Sequence, residues 1–147
     1  MSSRKISDLD LRLQPLCQMF LDNCAMQGID ILITCTWRSP AEQDALYAIG
    51  RTKPGRHVTN ARAGESSHNV VDQMQRPAAQ AFDVVPIRNG KLIWGTSGDG
   101  IDQDPTDDDT DDLELWQRIG AIGETVGLEW AGRWTRMREF PHFQMKS

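Results

Sequence analysis

The sequence has 147 residues, of which 39% are hydrophobic and 25% are charged, and this balance is typical of a globular chain. The length predicts one domain, residues 1–147, that can bury a core without disulfides or a structural metal. The formal net charge of −5 argues against binding to nucleic acid or to an anionic membrane, because both need a concentrated positive field.

The N-terminal segment is charged rather than apolar. Residues 1–10 include Arg4, Lys5, Asp8 and Asp10 and contain no apolar run. A signal peptide needs an apolar core and a membrane span needs about 20 apolar residues, so we expect neither. The sequence therefore predicts a protein made in the cytoplasm without membrane insertion, for which any work outside the cell requires separate export.

The opening segment predicts a turn followed by a helix. Ser7 with Asp10 three positions later is typical of a capped turn. Pro15 favours the first position of a helix, which we expect to reach about residue 27 and to end at Gly28. Its buried stripe is predicted to comprise Leu16, Cys17, Phe20, Leu21 and Cys24.

The three cysteines are an odd number and have no C-x-x-C spacing. Cys17 and Cys24 are seven residues apart and would share one helix face, and Cys35 lies further along the chain. We therefore interpret them as small buried hydrophobic residues rather than as zinc ligands or a disulfide.

Residues 29–37 are rich in β-branched side chains and predict a central strand. Ser39 followed by Pro40 is typical of a helix start, because serine caps well and proline tolerates the first helical position. We expect that helix to reach about residue 49. Arg38 lies at the junction of the two elements, where side chains commonly reach into a cleft.

A hairpin is predicted in the middle of the chain. Residues 82–87 form a short apolar strand, and Asn89 with Gly90 supplies the positive φ angles of a tight turn into residues 92–94. Asp83 then lies on a strand, which would hold its carboxylate rigidly.

Residues 98–112 contain eight aspartates and almost no apolar side chain, which predicts a solvated loop. Asp99, Asp102 and Asp104 could offer oxygen ligands to Ca²⁺. Their spacing does not match the D-x-[DN]-x-[DN]-G pattern of a calcium loop, however.

The C-terminal third predicts a helix and two strands. The helix spans about residues 112–126 and is expected to bury Leu115, Ile119, Ile122 and Val126. Residues 128–130 and 140–145 are the predicted strands.

Several segments carry a family resemblance through their order and combination. They are residues 36–43 (TWRSPAEQ), 46–47 (LY), 50–55 (GRTKPG), 58–61 (VTNA), 66–69 (SSHN), 81–83 (AFD), 128–132 (LEWAG), Trp134 and 141–143 (PHF). Together they resemble the zinc peptidases of bacterial cell-wall peptides, which include D-alanyl-D-alanine carboxypeptidases and the L-alanyl-D-glutamate endopeptidases of bacilli and phage endolysins. The resemblance covers most of the chain from Gly28 to Phe143.

The resemblance implies an α+β fold with a small, mainly antiparallel sheet flanked by helices, of the zinc DD-peptidase/hedgehog type. It also implies that His68, Asp83 and His142 bind one Zn²⁺. Three protein ligands leave a fourth position open, which is the arrangement of a catalytic rather than a structural zinc site.

By the same resemblance, Glu139 would take a proton from water and pass it to the leaving amine. Arg38 would stabilise a carbonyl oxygen or hold a substrate carboxylate. Ser66 would support the site by hydrogen bonding, and Trp134 would line the cleft.

Each of these residues also has a purely structural interpretation. His68 and His142 could be packed histidines, and Asp83 could end a strand. Glu139 could pair with Arg136 or Arg138, and Arg38 could pair with Glu42. Ser67 beside His68 suggests a serine hydrolase, but the G-x-S-x-G motif is absent.

The sequence departs from the family pattern in two places. His68 and Asp83 are fifteen residues apart instead of about seven in the resembled family, so residues 70–80 constitute an insertion, and Asp72 is an alternative ligand. We favour Asp83 because it has the A-x-D-V strand context. Glu139 stands where endolysin-type members commonly have aspartate.

The resemblance implies zinc-dependent hydrolysis of peptidoglycan stem peptides at the L-alanyl-D-glutamate bond, by a monomeric phage-type endolysin that a separate pore releases to the wall. The alternatives are a D-alanyl-D-alanine carboxypeptidase, a non-catalytic zinc-stabilised binding module, and a muramidase that uses two carboxylates.

Overall fold

The computed structural model of the chain describes residues 2–55, 59, 61–94, 111–135 and 138–146. Within them, three α-helices accompany a five-stranded antiparallel sheet, which confirms the predicted α+β class. The helices are α1 (Gln14–Met26), α2 (Pro40–Ala48) and α3 (Asp111–Thr125). The strands are β1 (Asp30–Cys35), β2 (Ala81–Arg88), β3 (Lys91–Leu92), β4 (Leu128–Trp130) and β5 (His142–Met145).

Strand β2 holds the sheet together. The strand order is β1-β2-β5-β4, and β3 pairs with the C-terminal end of β2. Asp83 on β2 is the register partner of Cys35 on β1 and of His142 on β5. Because residues directly opposite one another in a sheet point to the same face, these three side chains share one face.

The opposite face of the sheet carries the core. Phe82 and Phe143 project from neighbouring strands, and their ring centroids lie 5.7 Å and 4.7 Å from that of Phe20 on α1. Trp116 of α3 is fully buried against the same cluster, although the sequence analysis did not select it. The side chains at 119 and 122 are buried as predicted, whereas those at 115 and 126 are only partly buried.

The predicted starts of α1 and α2 agree with the structure. Ser39 caps α2 by accepting a hydrogen bond from the N–H of Glu42, and Pro15 lies in the first turn of α1. The predicted cap at Ser7 is wrong, because the opening 3-10 helix spans Ile6–Asp8 and thus contains this residue instead of starting after it.

The predicted hairpin is also present. Asn89 and Gly90 have φ angles of 54° and 77°, which is the left-handed conformation that a tight two-residue turn requires. The returning strand is Lys91–Leu92, shorter and earlier than the predicted residues 92–94.

Cys17 and Cys24 are fully buried, as expected for small hydrophobic residues, and burial raises the pKa of both thiols to about 12. Cys35 is buried as well, but beside polar groups. All three are free thiols.

Within the predicted insertion, residues 71–77 form a small turn, whereas Ala79 is buried in the core. Val71 and Pro77 are bridged, and Asp72 accepts a charged hydrogen bond of 2.9 Å from Arg76. The acidic segment at 98–110 and His57 lie outside the described residues. Among the described residues, no helix has both the length and the apolar character needed to cross a membrane.

Candidate metal centre

Three side-chain atoms from distant parts of the chain converge on one face of the sheet. Nε2 of His68 lies 3.2 Å from Oδ1 of Asp83, and Nδ1 of His142 lies 3.0 Å from the same oxygen. The two ring nitrogens are 3.3 Å apart. The structure therefore brings together the three residues that the sequence selected as ligands.

The triangle of atoms has the size of one face of a tetrahedral zinc site. Zinc ligands at 2.0–2.1 Å from the ion lie about 3.3 to 3.4 Å from one another in a tetrahedron. The observed separations of 3.0 to 3.3 Å are close to that value. Two imidazoles and a carboxylate are also a donor set that zinc accepts. The residues present thus fit a zinc ion in both size and chemistry.

The position of His68 depends on local hydrogen bonds. It lies in the 3-10 helix Ser67–Asn69, where the hydroxyl of Ser66 accepts from the N–H of His68. Its ring atom Nδ1 is 2.8 Å from the carbonyl oxygen of Thr36, so Nδ1 carries the donated proton. In the neutral ring, Nε2 is then the atom with the free lone pair, and it faces Asp83.

His142 is oriented by a second hydrogen-bond chain. Its Nε2 lies 2.9 Å from Oε1 of Gln144, whose amide donates to Oε2 of Glu129 over 3.3 Å. Trp134 donates to the same carboxylate oxygen through Nε1. Because Gln144 presents its oxygen, Nε2 of His142 must carry the proton, and Nδ1 presents its lone pair to the triangle.

Asp83 has different neighbours at its two oxygens. Oδ1 faces the two imidazoles, and Oδ2 lies 3.6 Å from Nη2 of Arg38. Arg38 is further fixed by a 2.9 Å hydrogen bond from Nη1 to Oε1 of Gln43. The guanidinium thus lies beside the ligand triangle and stabilises the ionised carboxylate.

In the metal-free protein a proton balances the charge of the triangle. Burial alone would lower the pKa of His68, but the Asp83 carboxylate outweighs it and raises the pKa to about 10. Burial alone would raise the pKa of Asp83, and the two histidines instead hold it far below its usual range. The Asp83 carboxylate thus favours the protonated form of His68 when no metal is bound.

Glu139 lies next to the triangle without belonging to it. Its Oε2 is 3.9 Å from Nδ1 of His142, and its side chain is 39% exposed. Partial burial is the main cause that raises the pKa of this carboxyl. A carboxyl with a raised pKa at the edge of a metal site is suited to accept a proton and return it. Arg138, one of its suggested partners, donates to the carbonyl of Trp134, and Arg136 lies outside the described residues.

The triangle opens into a cleft of about 500 Å³. Besides the three ligand residues it is lined by Arg38, Ser66, Trp134 and Glu139, which are the remaining residues that the sequence singled out. The ring centroid of Trp134 is 5.6 Å from that of His142. Asp72, the alternative ligand, lies instead at the surface in its pair with Arg76.

Sequence reasoning missed the residues that orient the histidines. Gln144 follows His142 by two positions on a strand, so the strand period of two would have placed it on the same face. Glu129 is its register partner on β4. Cys35 is also close, with Sγ 3.7 Å from Nδ1 of His68. Cys35, His68 and Asp83 each present one possible ligand atom within 4.8 Å of the other two, so the thiol lies close to the metal centre.

This chain is similar in sequence to a known protein family and to a known relative. Residues 59–145 match the family described as D-alanyl-D-alanine carboxypeptidase. The chain is 38% identical over 122 residues to the peptidoglycan L-alanyl-D-glutamate endopeptidase CwlK of Bacillus subtilis. That match covers 82% of this chain and 64% of CwlK, so the chain spans less than two thirds of the relative.

Three solved structures have similar folds at 16% sequence identity. The L-Ala D-Glu endopeptidase ChiX of Serratia marcescens has a TM-score of 0.60, with 99% of this chain and 89% of ChiX covered. VanYB in complex with D-alanine-D-alanine has a TM-score of 0.58, with coverage of 95% and 72%. A variant of the vancomycin resistance D,D-pentapeptidase VanY in complex with Zn(II) has a TM-score of 0.56, with coverage of 93% and 72%. At this identity the likeness shows the fold.

Proposed function

This chain belongs to the D-alanyl-D-alanine carboxypeptidase family of zinc-dependent peptidases, and from that premise we propose that it hydrolyses the L-alanyl-D-glutamate bond of peptidoglycan stem peptides. The observation that carries the proposal is the triangle of His68, Asp83 and His142 with Glu139 at its edge. The 38% identity to CwlK, which is named for that bond, supports this choice among the family's reactions.

We assign the metal to the triangle atoms. Zinc bound by His68, Asp83 and His142 supplies a Lewis acid that lowers the pKa of water and polarises a carbonyl. The protein contributes the fixed tautomers, since Thr36 and Gln144 each hold the proton on the ring nitrogen that faces away from the triangle.

Glu139 moves the proton. Hydrolysis forms a bond between the acyl carbon and the oxygen of water and breaks the carbon–nitrogen bond of the peptide. Glu139 accepts the proton that the attacking water loses and delivers it to the departing amine nitrogen. Partial burial raises its pKa, which makes the carboxylate a stronger base than an exposed one.

Arg38 positions the substrate from the wall of the cleft. It is held by Asp83 and Gln43, so its planar cation has a defined orientation. We assign it to the carbonyl oxygen of the scissile bond or to the free carboxylate of the D-glutamate residue, either of which matches a fixed guanidinium. Trp134 also lines the cleft, and Ser66 accepts a hydrogen bond from the N–H of His68 in the turn that carries this ligand.

The finer biological role is a monomeric lysis enzyme of the phage type, made in the cytoplasm and released to the wall by a separate pore. The resemblance of residues 50–61 to the phage and bacillus endopeptidases supports it. Expression in a bacterial host tests it: lysis is expected only when a pore-forming protein is co-expressed, and lysis without the pore would contradict this role.

Digestion of purified muropeptides tests the activity. Mass spectrometry is expected to find cleavage between L-alanine and D-glutamate, loss of cleavage with a chelator, and recovery when zinc is added back. A D-alanyl-D-alanine carboxypeptidase is the second candidate, because Glu139 stands where endolysin-type members have aspartate. It would release only the terminal D-alanine. New reducing sugar ends that survive chelation would instead identify a muramidase.

A further inference from the structure

The cleft continues beyond the ligand triangle. A second hollow of about 480 Å³ shares Arg38, Leu46 and Asp83 with the first. Its wall also includes Cys35, which has its side chain on the same sheet face as Asp83. The two hollows therefore adjoin at these shared residues and are together called the groove, and a substrate that occupies both hollows passes Asp83.

The two halves of the groove have different residues. Glu139, Trp134 and Gln144 line only the first hollow, and Trp94 and Pro141 line only the second. Glu139 must reach the leaving amine, so the amine side of the substrate occupies the first hollow. The acyl side then extends past Asp83 toward Trp94.

The chemistry of peptidoglycan determines what lies on the acyl side. In the stem peptide, the amine of L-alanine is joined to the lactyl group of N-acetylmuramic acid, and the scissile bond follows that one residue. A residue spans about 3.8 Å along the chain. The sugar therefore lies within a short distance of the triangle, in the half of the groove that contains Trp94.

Trp94 has the properties of a sugar-binding side chain. It is 54% exposed and lines the second hollow, so its indole is accessible to a ligand there. A pyranose ring has an apolar face that packs on indole and polar edges that need hydrogen bonds. Thr34 and Glu42 line the same hollow, where Glu42 accepts a hydrogen bond from Ser2, and their oxygen atoms match those edges.

We propose that the hollow beside Trp94 is a subsite for the N-acetylmuramyl sugar, with the indole packed on the sugar ring. The proposal rests on the proposed function, and it deepens it by naming the substrate: stem peptide still attached to the glycan strand. A free stem peptide leaves this subsite empty and is cleaved less efficiently.

A pair of small substrates tests the subsite. One is a stem tripeptide joined to N-acetylmuramic acid, and the other carries a lactoyl group in place of the sugar. The zinc-loaded protein is expected to prefer the muramyl substrate in kcat/KM by about tenfold, the size of one well-packed aromatic contact. Trp94→Ala is expected to bring the ratio between the two substrates close to one, and Trp94→Phe to retain part of it.

Leu92→Ala is the matched control. Leu92 lies on the same hairpin and is 39% exposed, but it lines neither hollow. This variant is expected to keep the wild-type ratio. A loss of the ratio in both alanine variants would attribute the effect to the hairpin and overturn the proposal.

A binding measurement separates this proposal from the proposed function. N-acetylmuramyl-L-alanine, the acyl product, is expected to bind the metal-free protein in a calorimetric titration, and Trp94→Ala to weaken that binding by about tenfold. Equal kcat/KM for the two substrates, or product binding unchanged in Trp94→Ala, would overturn the subsite while leaving the peptidase intact. Failure to cleave either substrate would overturn the proposed function, and product binding would still decide the subsite.

Discussion

The imidazole of His142 donates through Nε2 to Oε1 of Gln144, 2.9 Å away, and this contact determines which nitrogen faces the ligand triangle. Gln144 cannot rotate its amide without losing the hydrogen bond that its Nε2 donates to Glu129. The orientation of the ligand thus depends on a carboxylate one strand further away. Partners of this kind commonly change metal affinity by 10-fold to 100-fold when they are removed.

Gln144→Leu is expected to weaken zinc binding by about 10-fold to 100-fold, because Nε2 of His142 loses its acceptor and the ring can turn. Competition against a chelator of known affinity measures the change. Gln18→Leu is the matched control, since Gln18 is exposed on α1 and donates a hydrogen bond to Asp22, away from the metal centre. Unchanged affinity in Gln144→Leu would show that the strand alone orients the histidine.

Asp83 and Asp72 are the two aspartates that the sequence offered as the third ligand, and paired substitutions separate them. Asp83→Asn is expected to abolish tight zinc binding and cleavage, because the oxygen that faces both imidazoles loses its negative charge. Asp72→Asn is expected to keep both, since Asp72 pairs with Arg76 at the surface. Zinc content by atomic spectroscopy measures the outcome, and loss of zinc from Asp72→Asn would contradict our assignment.

The fold could be predicted largely from local signals. The Ser39-Pro40 helix start, the β-branched run of β1 and the Asn-Gly turn each depend on residues close in sequence, and each is present. The three zinc ligands were predicted because short motifs of this sequence resemble those of the zinc peptidases. The structure brings those three side chains together, although the insertion of residues 70–80 separates two of them in sequence.

The remaining features depend on contacts that no local pattern encodes. Trp116 is buried because α3 packs on the sheet. Helical periodicity alone predicted burial of the aliphatic side chains of this helix and not of Trp116. Glu129 and Gln144 act through a register between β4 and β5 that only the folded sheet defines. The predicted cap at Ser7 was wrong because the observed cap is Lys5, and composition does not distinguish two turn starts only two residues apart.

Gly123→Ala tests the packing of α3 on the sheet. A Cβ atom at this position would collide with the ring of Phe143. Helix propensity favours alanine by about 1 kcal/mol, whereas overpacking costs about 1–3 kcal/mol, so we expect a net loss of up to about 2 kcal/mol. Chemical denaturation measures the free energy of unfolding. Gln117→Ala, at an exposed position of the same helix, is the control and should change the free energy of unfolding by less than about 0.5 kcal/mol. Stabilisation by Gly123→Ala would show that Phe143 can move aside.

The metal-free protein is expected to lose stability as the pH rises. The pKa of His68 is raised to about 10 in the folded state, against about 6.5 when unfolded. The stabilisation from this raised pKa is fully present below about pH 6.5 and is lost as the pH rises through about 10. Thermal unfolding of chelator-treated protein measures it.

His68→Gln is the control for that titration. The buried thiols Cys17 and Cys24 also have raised pKa values, so they destabilise the fold in the same direction at alkaline pH. His68→Gln keeps both thiols. In this variant the fall in stability that begins near pH 6.5 is expected to be absent, and the fall due to the thiols at alkaline pH is expected to remain. Identical pH profiles for the two proteins would contradict the pairing of His68 with Asp83.

Glu139→Gln separates proton transfer from metal binding. The carboxylate lies 3.9 Å from Nδ1 of His142 and outside the triangle, so the amide should leave zinc affinity nearly unchanged. It cannot accept a proton, and kcat is expected to fall by about 10²-fold to 10⁴-fold. Glu124→Gln, which alters a surface acid paired with Arg133, is the matched control and should keep full activity. If Glu139→Gln binds zinc and keeps full wall-lytic activity, another group moves the proton or the chain acts by binding alone. If the variant loses zinc, Glu139 is a ligand rather than a base.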